Sequence, residues 1–209
     1  MYFKDRADAG KKLSKALEKY RNKDAVIYAL PRGGVILGKE ISKQLGLPLD
    51  LIITRKIGHP FQHEYAICAI AEDGEMICNE SEKRLIQKKW LEKEMLNERN
   101  EAKRRREIYR GGRKPQSAKG KIAIIVDDGV ATGLTMELAV LEIKKDRPKM
   151  LIVAVPVIPK DTAEKFKKEI DELVALDIPE DYLGSVGSYY QEFAQVSDSE
   201  VVEILKSQK

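Results

Sequence analysis

The chain has 209 residues, of which 43% are apolar and 34% charged, with a formal net charge of +4. That is one ordinary domain with enough apolar material for a full core, which excludes a disordered chain or a small disulfide scaffold. No apolar run approaches membrane-spanning length and the N-terminus carries no signal-peptide core, so a soluble cytoplasmic protein is expected. The mild positive charge suits an anionic small substrate and does not by itself indicate nucleic acid. Cys68 and Cys78 read as reduced structural thiols.

Asp5 to Tyr20 predicts an amphipathic helix, with Ala9, Leu13, Ala16, Leu17 and Tyr20 on one side. Ala25 to Leu30 is an apolar strand, followed at its carboxyl end by Pro31-Arg32-Gly33-Gly34. Val35 to Leu45 is a second helix, stopped by Gly46, and Leu49 to Thr54 a second strand. Thr54 to Tyr65 leaves that strand as a loop carrying Arg55, Lys56, His59 and His63. Tyr65 to Ile70 and Glu75 to Asn79 are short strands around the hairpin signal Asp73-Gly74. Ser81 then caps a long helix to about Tyr109. Its stripe of Leu85, Ile86, Trp90, Leu91, Met95 and Leu96 gives way to a nearly all-charged half. There Lys103 to Arg106 is either a surface for phosphate-rich partners or, more simply, a solvated helix end.

Beyond a basic connector, Ile122 to Val126 is an unbroken β-branched run, the pattern of a strand buried on both faces. Leu134 to Lys145 is a helix, Leu151 to Val155 a strand, Thr162 to Glu169 a short helix and Glu172 to Leu176 the last strand. Ser197 caps a final helix to Lys206, with Val201, Val202 and Leu205 inward. Strand–loop–helix–strand units recur, so the fold class is α/β, with a central, mostly parallel twisted sheet flanked by helices.

The chemistry concentrates between Val126 and Leu134, in Asp127-Asp128-Gly129-Val130-Ala131-Thr132-Gly133. A glycine-containing turn from a strand into a helix binds phosphate, because backbone amides and the helix dipole both favour an anion. Thr132 and Thr135 add hydroxyl donors. Two adjacent carboxylates would repel a bare phosphate; they fit a ligand that also carries hydroxyls, a metal or a centre that turns positive. A sugar phosphate supplies the hydroxyls. The loop lacks the Gly-Lys-Ser/Thr ending of a P-loop, and Gly33, Gly34 and Gly38 have the wrong spacing for a dinucleotide fingerprint. Pro31-Arg32-Gly33-Gly34 offers open amides and one fixed positive charge, the parts that hold a diphosphate.

Val126 to Gly133 closely resembles the phosphoribosyl-diphosphate loop of the type I phosphoribosyltransferases, and Pro31 to Gly34 resembles that family's pyrophosphate loop. The resemblance implies that Asp127 and Asp128 hold the ribose 2- and 3-hydroxyls. Gly129, Val130, Ala131, Thr132, Gly133 and Thr135 would hold the 5-phosphate. Pro31, Arg32, Gly33 and Gly34 would hold the diphosphate, across a cis peptide bond at Pro31–Arg32. It implies a mobile loop at Thr54 to Tyr65, with Lys56 pairing with the diphosphate and Arg55 either doing the same or forming a salt bridge. Asp127, Asp128, Lys56 and Arg32 are then the expected catalytic group. His59 and His63 either contact the base or transfer protons or, more simply, are loop histidines without catalytic duty; they make no metal-ligand pattern with Cys68 or Cys78, so no protein-held metal is expected. Magnesium would be the cofactor, carried mainly by the substrate. Tyr189, Tyr190 and Phe193 fall in the acceptor region; they either stack on a planar acceptor or pack the last helix onto the sheet.

The chain would form a single domain over residues 1–209. A long-helix insertion is expected at 81–110, and a small hood from 157–209 with the N-terminal segment. The expected partners are 5-phosphoribosyl 1-diphosphate and an acceptor the sequence leaves unidentified; no membrane or nucleic acid is expected, and the assembly would be a homodimer. The alternative function is a regulator that senses the same diphosphate and binds nucleic acid. Some purine-using members carry an aspartate in the loop where this chain has Ala131, which puts hypoxanthine-type and guanine-type acceptors in question.

Overall fold

Five short runs form one parallel sheet: four are buried on both faces, and Glu172–Asp177, at its edge, is half-buried. The structure is a computed structural model describing residues 2–207, apart from the side chains of residues 63 and 64. Its elements are α1 (Arg6–Ala16), β1 (Ala25–Ala29), α2 (Gly33–Leu45), β2 (Leu49–Leu51), β3 (Thr54–His59), β4 (Gln62–Ala71), β5 (Met76–Cys78), α3 (Glu80–Lys83), α4 (Lys88–Arg110), β6 (Ile122–Val126), α5 (Leu134–Lys145), β7 (Met150–Val157), α6 (Lys160–Phe166), β8 (Glu172–Asp177) and α7 (Asp198–Lys206). The main sheet runs β2-β1-β6-β7-β8, and every neighbouring pair is parallel. Ile27 and Ala29 of β1 face one layer, where they pack with Leu13, Ile41 and Val201. Val26 and Tyr28 face the other, with Val140, Ile143 and Phe166. Each such aliphatic side chain contributes about 1.5–3 kcal/mol by leaving water.

The chain moves outward from β1 to β2 in one direction and from β6 to β7 in the other. The strand order therefore reverses between β1 and β6, and a crevice opens at their carboxyl ends. The two glycine-containing loops of the sequence leave the sheet at that point.

Three sequence expectations change here. Thr54 to Tyr65 is no loop: β3 and β4 pair antiparallel and, with β5, make a second sheet. Ile57, Ile67, Ile70 and Leu91 form its core, and the adjacent Arg55 and Lys56 hid that pattern. The long helix is broken. Asn79, whose side chain accepts from the amides of Ser81 and Glu82, caps the short α3, and α4 restarts at Lys88. Ile86, Trp90, Leu91 and Met95 pack on the second sheet, whereas Leu85 and Leu96 are 80% and 60% exposed. Finally, Cys68 and Cys78 are joined in a disulfide instead of being thiols. The β4–β5 register sets them directly opposite one another, which their spacing alone does not reveal.

The second sheet is tied to the first through α5. Leu138 packs against Ala69 and Ala71, and the Thr54 hydroxyl donates to the Thr135 carbonyl at 3.3 Å. At the other end Ser197 caps α7 in a reciprocal box with Glu200, as its sequence position predicts. Among the described residues no helix is long and apolar enough to cross a membrane.

Candidate functional site

The loop after β6 is held by its own hydrophobic residue. Val130 is buried, and its amide donates to the Val157 carbonyl at 2.9 Å. Gly133 then turns the chain into α5 with φ at 85°, a conformation that costs glycine least. No side chain caps the start of α5, so its first amides remain for an anion. The loop after β1 is built alike. Arg32 precedes α2 without a side-chain cap, and the Pro31–Arg32 peptide bond is cis. Two uncapped helix starts thus converge on one cleft.

Gly34 permits that convergence. A Cβ there would lie 2.7 Å from the Val126 carbonyl oxygen and 3.0 Å from the Asp127 Cα. Gly33 meets the second carboxylate in the same way, since its Cβ would fall 1.9 Å from Asp128 Oδ2. The cleft between the loops has a volume of about 590 Å³. Pro31, Arg32, Gly33, Lys56, Thr135 and every residue from Asp127 to Gly133 line it.

The acids lie deep in this cleft. Asp127 accepts a hydrogen bond from the Asp128 amide at 2.8 Å. Burial, and then the neighbouring Asp128 charge, holds the Asp127 carboxyl well above the usual carboxylate range. Burial also raises Asp128, against the opposing pull of Arg6. Arg6 is a residue that sequence reasoning missed. Its Nε donates to Asp128 Oδ2 at 2.7 Å, and its guanidinium lies 3.7 Å from the centroid of the Phe193 ring. The only sequence signal was a cation in the first turn of a helix, where the dipole disfavours it. Such a residue must be there for something outside the helix.

Other predicted residues separate. Arg55 turns away from the cleft to Glu98 of α4, at 2.7 Å, so the salt-bridge alternative holds. Tyr189 and Tyr190 are 3% and 7% exposed and belong to the core, where Tyr189 packs on Tyr182 and Tyr190 on Phe3 and Phe193 instead of lining the cleft. Tyr190 donates instead to the Asp128 carbonyl at 2.6 Å. Of the three aromatics only Phe193 lines the cleft. His59 accepts from the Phe61 amide near the tip of the β3–β4 hairpin, and the His63 side chain lies outside the described residues. The three arginines of the basic run pair with acids: Arg104 and Arg105 bind Glu101, and Arg106 binds Glu72. Asp73, Glu75 and Glu142 gather around Lys145, away from the cleft.

A second lobe of about 620 Å³ shares Ala66, Ala131, Thr132 and Gly184 with the cleft. Tyr65, Asn79, Glu137, Asp161, Lys165 and Tyr182 are among its other lining residues. The Tyr182 hydroxyl is buried with no hydrogen-bond partner among the described residues, and burial pushes its pKa up to about 12. Sequence reasoning also missed Asp198, which receives Tyr109 Oη at 2.5 Å and Arg104 at 2.8 Å and lies 3.7 Å from Arg32. It links α4 to the loop after β1.

Comparison with known proteins agrees with this geometry. The profile of the phosphoribosyl transferase domain matches residues 4–192. Proteins from two strains of Mycobacterium tuberculosis, CDC 1551 and H37Rv, are each provisionally named phosphoribosyl transferases. Each is 38% identical over 205 residues, covering 97% of this chain and 46% of theirs. This chain therefore spans about half the length of those curated relatives. The crystal structure of TT1426 from Thermus thermophilus is similar with a TM-score of 0.79 and 38% identity, covering 100% of this chain and 99% of that one.

Proposed function

The chain belongs to the phosphoribosyl transferase domain family, and from that premise we propose that it moves a 5-phosphoribosyl group from 5-phosphoribosyl 1-diphosphate to a nitrogenous base. The observation that carries this reading is the meeting of two uncapped helix starts, two half-buried acids and the cations Arg32 and Lys56 in one cleft. One helix start and the threonines suit the 5-phosphate. The acids suit the ribose hydroxyls. The other helix start, with Arg32 and Lys56, suits the diphosphate.

In the reaction a nitrogen lone pair of the acceptor forms a bond to C1 of the ribose. The C1–O bond breaks, its electron pair leaves with diphosphate, and the acceptor nitrogen gives up its proton. Positive charge builds at C1 as the diphosphate departs, as in glycosidic cleavage. Asp127 and Asp128 fix the hydroxyls beside that centre and favour its charge. Arg32, Lys56 and the Gly33 and Gly34 amides balance charge on the leaving group.

The oxygen donors of the cleft fit magnesium that arrives with the substrate, not a cage built by the protein. Asp128 already shares one oxygen with Arg6, and two carboxylates fall short of the ion's oxygen shell. When bound, magnesium neutralises charge on the diphosphate.

The second lobe opens beside Ala131 and suits the acceptor. Ala131 brings no proton-accepting group, so the acceptor proton goes to solvent or to a lobe carboxylate, either Asp161 or Glu137, the latter paired with Lys165 at 2.6 Å. The test is turnover. Diphosphate release from magnesium phosphoribosyl diphosphate is followed with a panel of purine and pyrimidine bases. Release that depends on one base supports the reading. Binding without release for every base would leave a sensor of the same ligand and overturn the transferase.

A further inference from the structure

Arg6 is, among the described residues, the one cation of the cleft drawn from the N-terminal segment, and its surroundings are built to hold it. Nε donates to Asp128 Oδ2 at 2.7 Å, Nη1 donates to the Ala194 carbonyl at 2.6 Å, and the planar group lies on the Phe193 ring. Its side chain and that of Asp128 are 12% and 16% exposed. Phe193 packs in turn on Tyr190, with ring centroids 5.0 Å apart, and Tyr190 donates to the Asp128 carbonyl. Asp128 is thereby gripped at its carboxylate and its backbone by one assembly.

That assembly is tied down by main-chain bonds. The Phe3 amide donates to the Tyr189 carbonyl at 2.8 Å, and the Gln191 amide donates to the Phe3 carbonyl at 2.9 Å. Residues 3–4, just before α1, are therefore joined main chain to main chain with residues 189–192. The diphosphate loop leaves room for the pair, since a Cβ on Gly33 would sit 2.9 Å from Arg6 Nε. The requirements of α1 do not explain an arginine here, because the positive end of a helix dipole disfavours a cation. A half-buried guanidinium that puts one prong on an oxygen of the acid and another on a carbonyl fixes the rotamer of that acid and leaves its other lone pairs to a ligand.

We propose that Arg6 is a positioning residue for the transfer, acting through Asp128: it locks the carboxylate that receives the ribose hydroxyls. This rests on the phosphoribosyl transfer proposed above. It assigns the N-terminal segment a part in substrate recognition.

The test is a double-mutant cycle read by calorimetric titration of 5-phosphoribosyl 1-diphosphate with magnesium. Unmutated protein, Arg6→Gln, Asp128→Asn and the double variant are compared, and thermal unfolding checks that each is folded. Each single change should weaken binding on the order of 10-fold, the worth of a hydrogen bond to a charged group. If Arg6 works through Asp128, the double variant binds within about 3-fold of the weaker single one. Arg6→Lys should fall between the unmutated protein and Arg6→Gln, keeping the charge without the fork.

Losses that multiply to roughly 100-fold in the double variant would overturn the proposal, because Arg6 would then act independently of Asp128. Tighter binding by Arg6→Gln would also overturn it, making Arg6 a plug over the ribose site. No binding by the unmutated protein would reject the transferase reading itself, and this proposal with it.

Discussion

Replacing Gly34 with alanine tests the contact that brings the two loops together. The added Cβ would lie 2.7 Å from the Val126 carbonyl oxygen, 3.0 Å from the Asp127 Cα and 3.1 Å from Asp127 Oδ1. Two of these atoms are backbone of β6 and its loop, so no side-chain rotation relieves them. Relaxed carbon–oxygen contacts lie near 3.3 Å or beyond, so the loops must part by roughly 0.5 Å. Overpacking of this kind costs about 1–3 kcal/mol, a fall of roughly 2–12 °C in Tm for a chain of this size. The same displacement separates the ribose acids from the diphosphate amides. A misplacement of about 1 Å costs about 100-fold in rate, so roughly half that should cost about 10-fold in kcat/KM.

The comparison variant is Gly38→Ala, one turn further along α2. Its Cβ would meet Leu49 Cδ1 at 2.8 Å, the movable end of a side chain. It should lower Tm and leave affinity for phosphoribosyl diphosphate unchanged. Scanning calorimetry gives Tm and titration gives affinity. If Gly34→Ala kept both Tm and affinity, the loops would not be in the contact described.

Asp127→Asn keeps an oxygen to accept from the Asp128 amide and removes a charge that burial disfavours. It should raise stability by roughly 1 kcal/mol, a typical gain for such a change, while abolishing turnover. Because the folded pKa of Asp127 is raised, the unmutated protein loses stability as pH climbs from the unfolded carboxylate value through the folded one. The gap between the two proteins should therefore close towards low pH in thermal scans, and a gap independent of pH would refute the cause. Reduction of Cys68–Cys78, 10 residues apart, should cost about 2–3 kcal/mol; thiol titration of the native protein should find no free cysteine, and two would contradict the bond. Asp198→Ala should raise KM for phosphoribosyl diphosphate several-fold by releasing Arg32. Tyr109 and then Arg104 hold the Asp198 pKa down, so its contribution is present above the unfolded value and is lost as pH falls through the folded one. A KM identical to that of the unmutated protein would disconnect α4 from the diphosphate loop.

The parallel sheet was legible in the sequence because burial on both faces leaves apolar runs such as Ile122–Val126 that polar residues cannot interrupt. The phosphate corners were legible because small residues at strand ends have a chemical reason to be there. The second sheet was not. β3 spends two of its six residues on charge, with Arg55 serving an ion pair to α4 that no local pattern announces. Tyr189 and Tyr190 posed a choice between packing and stacking that composition cannot make; it is decided by Phe3, which arrives from the other end of the chain to pair with Tyr190. Arg6 was invisible for the same reason. Its partner lies 122 positions away, and only the folded sheet brings them within 2.7 Å.

Amide hydrogen exchange with and without magnesium phosphoribosyl diphosphate addresses the core of the account most directly. The ligand should slow exchange at the amides of residues 129–135 and 33–35 together, because both helix starts close on one molecule. Saturable binding that left both segments unprotected, or protected only a surface remote from Asp127 and Asp128, would contradict it.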